Sequence, residues 1–147
     1  MGKAVPILHS SGDTIQGRLA AQVVASYFEE QMGRETVLSG KSSAQECLGL
    51  ILDKKAPMAV VPEIEQDWIP VGVVVVLPGL NTGGGIFTLV MGSDARQDLQ
   101  FSLVPRYMEL LSSRLSRDAW AKGIVRINSG EGVRKVALDM LREADLI

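Results

Sequence analysis

Short apolar segments of strand type alternate with amphipathic helices over the first 62 residues of the chain. Helices of this length between strands favour parallel pairing of the strands and right-handed crossovers. The alternation therefore predicts an α/β fold, with one domain over residues 1–147 whose mixed, mostly parallel sheet is flanked by helices. The predicted strands cover residues 4–9, 36–38 and 58–61, and the predicted helices cover residues 13–32 and 44–54.

The chain changes character after Pro62. An acidic connection leads to a run of valines at residues 71–77, which is apolar enough to predict a buried strand. Three consecutive glycines, 83–85, predict a turn into another strand at residues 86–91. The last third is predicted to be helical, with a helix at residues 99–115 bent or begun at Pro105, a short helix that Ser116 caps and that holds Trp120, and a final helix at residues 133–141.

Composition narrows the class of protein and of partner. The chain has 147 residues, of which 46% are hydrophobic, and this predicts a globular domain with a core rather than a disordered chain. Its 15 Lys and Arg against 17 Asp and Glu give a net charge of −2 without any basic block, so no nucleic acid and no anionic membrane is predicted as a partner. The longest apolar run, residues 71–80, contains Pro78 and is half as long as the roughly 20 residues of a membrane-spanning helix.

Cys47 and His9 are the only cysteine and the only histidine of the chain. They exclude a disulfide framework, a cysteine-rich zinc site and any site that needs two imidazoles. Cys47 lies within the second predicted helix and is predicted to be a small buried hydrophobe. No signal peptide follows Met1, which predicts a cytoplasmic protein if Met1 is native and an extracytoplasmic one if a signal peptide was removed.

Polar loops follow the first three predicted strands. In an open α/β sheet, ligands bind outside the carboxyl ends of the strands, where amides at helix N-termini can bind anions. Hydroxyl side chains in two of these loops could give an anion further donors, and capping of the following helices without ligand contact is the alternative interpretation. The predicted ligand-binding residues are Ser10, Ser11, Asp13 and Thr14 in the first loop, Lys41, Ser42 and Ser43 in the second and Glu63 in the third, together with His9 at the end of the first strand.

No pattern in the sequence predicts a catalytic residue, a metal ion or a cofactor. His9 is the only imidazole that could act as a base, and it has no recognisable partner in the sequence. The segment Gly40-Lys41-Ser42 carries Glu35 where a phosphate-binding P-loop needs glycine. The three glycines precede a strand, whereas a dinucleotide-binding fingerprint needs a helix there.

The order of these segments resembles a known family. A strand leads through a polar loop into the helix that begins Ile15-Gln16-Gly17-Arg18, and Gly40-Lys41-Ser42-Ser43 leads into the next helix and then into the strand ending Val61-Pro62-Glu63. Residues 110–120 and 133–147 resemble that family's closing pair of helices. In these features the chain is similar to the type II periplasmic substrate-binding proteins, specifically those of ABC importers that bind glycine betaine, choline and related osmolytes.

The resemblance implies one lobe of a two-lobed binding protein. The segment from Glu63 to Val71, where the second lobe would be inserted, is a short connection. Betaine specificity is not implied, because an aromatic cage needs several ring faces and the chain has only two Trp, two Tyr and three Phe. The expected function is non-catalytic binding of a small polar or anionic solute, as a reduced substrate-binding domain or a ligand-sensing module. The alternative is a structural or protein-interaction domain that kept the fold and lost the ligand.

This interpretation also predicts partners. A single lobe buries less of a ligand than a closed clamp, so a homodimer or a covering partner chain is expected if binding is tight. The resemblance further implies an ABC permease as a partner.

Overall fold

The computed structural model describes residues 4–10 and 14–147. These residues form a five-stranded sheet with helices on both faces. The strands are β1 (Val5–His9), β2 (Thr36–Gly40), β3 (Met58–Pro62), β4 (Val73–Asn81) and β5 (Ile86–Gly92). The helices are α1 (Ile15–Met32), α2 (Ala44–Leu52), α3 (Ser93–Gln97), α4 (Val104–Arg114), α5 (Arg117–Asn128) and α6 (Val133–Glu143), with 3-10 turns at Gln66–Trp68 and Leu99–Phe101.

The sheet has the strand order β2-β1-β3-β5-β4. β1 pairs in parallel with both β2 and β3, whereas β5 pairs antiparallel with both β3 and β4. Four of the five strands therefore run in one direction and β5 runs against them. This confirms the predicted α/β class with a mixed, mostly parallel sheet flanked by helices.

Side chains of the central strands point alternately to the two faces of the sheet, and each face packs into its own apolar cluster. Ile7 is paired with Met58, and both pack with α1 in the larger apolar cluster, which also holds residues of α4, α5 and α6. Leu8 is paired with Ala59, and both pack with α2 in the smaller cluster. Because successive side chains of a strand point to opposite faces, α1 and α2 cover opposite faces of the sheet.

Side-chain caps at the helix ends confirm several sequence expectations. Thr14 caps α1 by accepting from the Gly17 N–H at 3.2 Å, and Gly33 ends the helix with a φ of +65°, which glycine adopts without strain. Ser116 caps α5 by accepting from the Ala119 N–H at 3.1 Å. α5 is 12 residues long, and its Trp120 is buried in the larger cluster.

The valine run does not form the buried strand that its composition predicts. It belongs to β4, which is an outer strand of the sheet and pairs only with β5. Val73 and Val76 are buried, but Leu77 is 70% exposed and Val71, just before the strand, is 99% exposed. The pairing with β5 shifts register between Val76 and Leu80, so the alternation of buried positions is interrupted around Pro78. An apolar run at the rim of a sheet is exposed because no neighbouring strand covers it.

The helices considered for membrane spanning are those of residues 4–10 and 14–147. None of these helices is both long and apolar enough to span a bilayer.

Candidate functional site

The predicted site lies at one edge of the sheet, which we call the carboxyl edge. β1, β2 and β3 end at this edge. The turn between β4 and β5 lies there too, and α1 and α2 begin there. The parallel arrangement thus brings the three predicted loops to the same side of the sheet. Ser11 and Asp13 lie outside the residues that the structure describes.

Ser10 is the most buried of the predicted residues that the structure describes. Only 9% of it is exposed, and its N–H donates to the Val60 carbonyl at 3.2 Å. Its hydroxyl oxygen is buried and has no oxygen or nitrogen partner among the described residues, and its interaction with the Cys47 sulfur is weak. Burial raises the pKa of the Cys47 thiol, and the Ser10 hydroxyl opposes that rise by interacting with the sulfur. Cys47 itself is fully buried, as predicted.

The second loop is engaged in capping α2. Ser43 Oγ accepts from the Glu46 N–H at 3.1 Å, and Ser42 donates to Glu46 Oε1 from its backbone N–H at 2.9 Å and from its hydroxyl at 3.0 Å. These two bonds from Ser42 hold the pKa of the Glu46 carboxyl below its ordinary value. Of the two candidates, Ser42 or Ser43, the structure confirms Ser43 as the cap of α2, and the Glu46 carboxylate already occupies the positive end of that helix.

The N-terminus of α1 offers a different environment. This helix of 18 residues has no acidic side chain in its first turn, so its positive end is not neutralised by its own residues. The turn between β4 and β5 lies against it, because a Cβ added at Gly84 would come within 2.8 Å of Gln16 Nε2. Thr82 holds that turn, donating to the Gly85 carbonyl from its backbone N–H at 3.0 Å and from its hydroxyl at 2.9 Å.

His9 links the first two loops. Its carbonyl accepts from the Lys41 N–H at 2.8 Å, and its imidazole lies beside Gly40, where a Cβ would come within 3.2 Å of the ring. Burial lowers the pKa of His9 below its ordinary value. The imidazole is therefore mostly neutral at pH 7 and can donate or accept a hydrogen bond without carrying a charge.

Glu63 stands apart from this group. Its N–H donates to the Ile86 carbonyl at 2.9 Å, which fixes the end of β3 beside the start of β5, and its side chain is exposed. The structure thus brings His9, Ser10 and Lys41 together at the end of β1, at the same edge of the sheet as the first turn of α1.

A cavity of about 520 Å³ lies at the opposite edge of the sheet, and we call it the amino-edge cavity. It is bounded by the residues that enter β1 and β3, the end of α2, and the segment after β5. None of the predicted residues described by the structure lines it. The charged side chains around it are Arg34, Lys54, Lys55, Asp94 and Asp98. Sequence reasoning missed this cavity because its residues come from separate segments at the amino ends of strands, and no motif marks them.

Within residues 4–10 and 14–147, no group of three or more His, Cys, Asp or Glu side chains could hold a metal ion. The chain matches no protein-family model, no curated protein and no solved structure.

Proposed function

We propose that the chain binds a small polar or anionic solute at the carboxyl edge, around the end of β1, without catalysing a reaction. The single observation that carries this proposal is the Ser10 hydroxyl, which is buried and has no hydrogen-bond partner in the described residues beyond a weak interaction with the Cys47 sulfur. A buried hydroxyl that lacks a partner is destabilising by about 1–3 kcal/mol. A solute oxygen that accepts from Ser10 would remove that cost.

Electrostatics support an anion or a zwitterion as the solute. The N-terminus of α1, which has no acidic residue in its first turn, lies at the same edge, and the positive end of a helix favours negative charge. At α2 the Glu46 carboxylate would repel an anion, so the N-terminus of α1 is favoured over that of α2 as the contact for its charge. His9, mostly neutral, would add a hydrogen bond and no charge.

The resemblance to one lobe of a substrate-binding protein supports the same proposal. In that family a second lobe closes over the solute, whereas only residues 63–72 lie between β3 and β4 here. We therefore expect weak binding by the isolated chain, and tighter binding if a second copy, a covering chain or an ABC permease closes the edge.

A thermal-shift experiment tests the proposal with sulfate, phosphate, succinate, glutamate and glycine betaine as probes. At least one of them is expected to raise the Tm, and Ser10→Ala is expected to abolish that rise. Ser102→Ala, at an exposed serine outside the carboxyl edge, is the matched control and should retain it. Failure of all five probes, or an equal response of both variants, would contradict the proposal.

A separate observation favours the alternative function, an interaction domain without a solute. Trp68, Val71 and Leu77 are 66%, 99% and 70% exposed, and all three belong to the connection before β4 or to β4 itself. An outer strand with exposed apolar side chains offers unpaired backbone groups to a strand of another chain. Size-exclusion chromatography with light scattering distinguishes the two functions: a homodimer that forms without any solute and is lost in Leu77→Ser would favour the interaction domain.

A further inference from the structure

The amino-edge cavity has the size and the floor of a small-molecule site. Its volume of about 520 Å³ lies within the range of cavities that hold small organic ligands. Val5, Ile51, Ala56 and Phe101 line it, and each of them is at least 94% buried, so the floor is apolar and belongs to the rigid core. Ala95 on α3 lines another side of the cavity.

The rim of the cavity carries more positive than negative charge. Three cationic side chains, Arg34, Lys54 and Lys55, lie around it with two carboxylates, Asp94 and Asp98. Lys54 pairs with Asp94 at 2.9 Å, but their side chains are 77% and 80% exposed, and such a pair is weak and exchanges readily.

The second carboxylate, Asp98, accepts hydrogen bonds from Gln100, two residues further along the chain. Asp98 accepts from the Gln100 backbone N–H at 3.1 Å and from its side-chain amide at 3.2 Å, and the Gln100 carbonyl oxygen in turn accepts from Arg34. Lys55 is exposed and forms no ion pair with any residue in the described ranges. Its ammonium group is therefore available at the mouth of the cavity.

We propose that the amino-edge cavity is a second binding site, for a small amphipathic anion with an apolar body and a single carboxylate or sulfonate group. The apolar body would lie against Ile51 and Phe101, and the anionic group would be held at the rim by Lys55. Burial of the apolar body drives binding, and the surplus positive charge selects an anion over a cation. This site is separate from the solute site at the carboxyl edge.

Calorimetric titration of the full chain tests the proposal with octanoate, octan-1-ol and octylammonium as probes. Octanoate is expected to bind, octan-1-ol about threefold more weakly because it lacks the charge, and octylammonium more weakly still. Lys55→Gln should weaken octanoate about threefold, and Lys122→Gln, at an exposed lysine of α5, should leave it unchanged.

A second pair of variants tests whether the cavity itself is the site. Ala95→Leu would fill it and is expected to weaken octanoate at least about tenfold, whereas Ala121→Leu, at an exposed alanine of α5, should not. Absence of octanoate binding, equal binding of octylammonium, or full binding by Ala95→Leu with a native circular dichroism spectrum would overturn the proposal. If Ala95→Leu does not fold, the probe series and Lys55→Gln decide it. Ser10→Ala is expected to retain octanoate binding, so failure here and failure at the carboxyl edge are distinguishable.

Discussion

The Glu46 carboxylate accepts two hydrogen bonds from Ser42, at 2.9 Å from its backbone N–H and at 3.0 Å from its hydroxyl. Together with the Ser43 hydroxyl, which accepts from the Glu46 N–H, this reciprocal arrangement satisfies polar groups at the start of α2. It also makes the two helix N-termini of the carboxyl edge unequal. α2 carries its own anion there, whereas α1 has no acidic residue in its first turn.

Acid titration should expose the contribution of Glu46. Its pKa is depressed in the folded protein by the bonds from Ser42, so it stabilises the fold above its ordinary pKa of about 4.3 and loses that effect as pH falls through the folded value. Glu46→Gln is therefore expected to lower the free energy of unfolding at neutral pH, and the difference from wild type should shrink in acid. Urea unfolding across that pH range measures it.

Ser43→Ala provides a comparison within the same cap. Loss of an N-cap hydroxyl costs about 1 kcal/mol, and this loss should be similar above and below the titration of Glu46 if the two bonds act independently. Glu30→Gln, at an exposed position of α1, is the control for removing a carboxylate. A difference between Glu46→Gln and wild type that stays constant with pH would contradict the assignment.

The helix caps and the parallel first half of the fold could be predicted because they depend on local signals. Thr14, Gly33, Ser43 and Ser116 each act where the sequence predicts, since capping depends on residues three or four positions apart. The outer position of β4 could not be predicted in this way. The composition of the valine run predicts that it is buried. Whether Leu77 is buried also depends on the position of β4 in the sheet, and β4 is an outer strand.

Two helical glycines should respond to alanine with opposite signs. A Cβ at Gly123 in α5 would lie 2.9 Å from Met140 Sδ and 3.1 Å from Leu19 Cδ2, so Gly123→Ala forces neighbours in the core to move. A Cβ at Gly49 in α2 meets nothing within 4 Å. Overpacking costs about 1–3 kcal/mol, whereas alanine in a helix gains up to about 1 kcal/mol over glycine.

We therefore expect Gly123→Ala to destabilise the protein by about 1 kcal/mol net and Gly49→Ala to stabilise it by a similar amount. Thermal and urea unfolding of the two variants measure both values. Stabilisation by Gly123→Ala would mean that α5 and α6 are packed less closely than the structure has them.

The network around Arg126 predicts a second acid-dependent loss of stability. Arg126 donates to both carboxylate oxygens of Glu131, at 2.9 and 2.7 Å, and to Asp139 at 2.7 Å. The Arg126 guanidinium lowers the pKa of Glu131 to about 2. Stability from this pair is present above the ordinary pKa of glutamate and is lost as pH falls toward the folded value.

Arg126→Met is accordingly expected to reduce stability at neutral pH and to flatten the dependence of unfolding free energy on pH between about 4.3 and the acid limit of folding. Arg106→Met is the matched control, because Arg106 forms an ion pair with Glu109 at an exposed surface. An unchanged slope in Arg126→Met would contradict the role of the network.

The two edges of the sheet differ in how far their candidate binding sites could be predicted from the sequence. The residues of the carboxyl edge follow strands directly, so their grouping could be predicted from the order of elements. The amino-edge cavity brings Arg34, Lys55 and Phe101 together from three separate segments, and only the packed structure defines its volume. The Ser10 hydroxyl combines both cases: its place at the end of β1 was predicted, but its burial against Cys47 depends on the packing of α2 over β1.

His9 gives the most direct test of solute binding, because it is the only histidine and its imidazole signals can be assigned without ambiguity. Burial lowers its pKa, so the folded protein takes up this proton at a lower pH than the unfolded chain does. Stability should consequently fall as pH drops from about 6.5 toward the folded value, and His9→Gln should remove that dependence.

An anion bound beside Ser10 favours the charged imidazolium, so a solute that raises the Tm is expected to raise the pKa of His9 in an NMR titration. Octanoate at the amino-edge cavity, on the other side of the sheet, should leave the pKa of His9 unchanged. If a stabilising anion does not shift the His9 titration, its site is not around the end of β1.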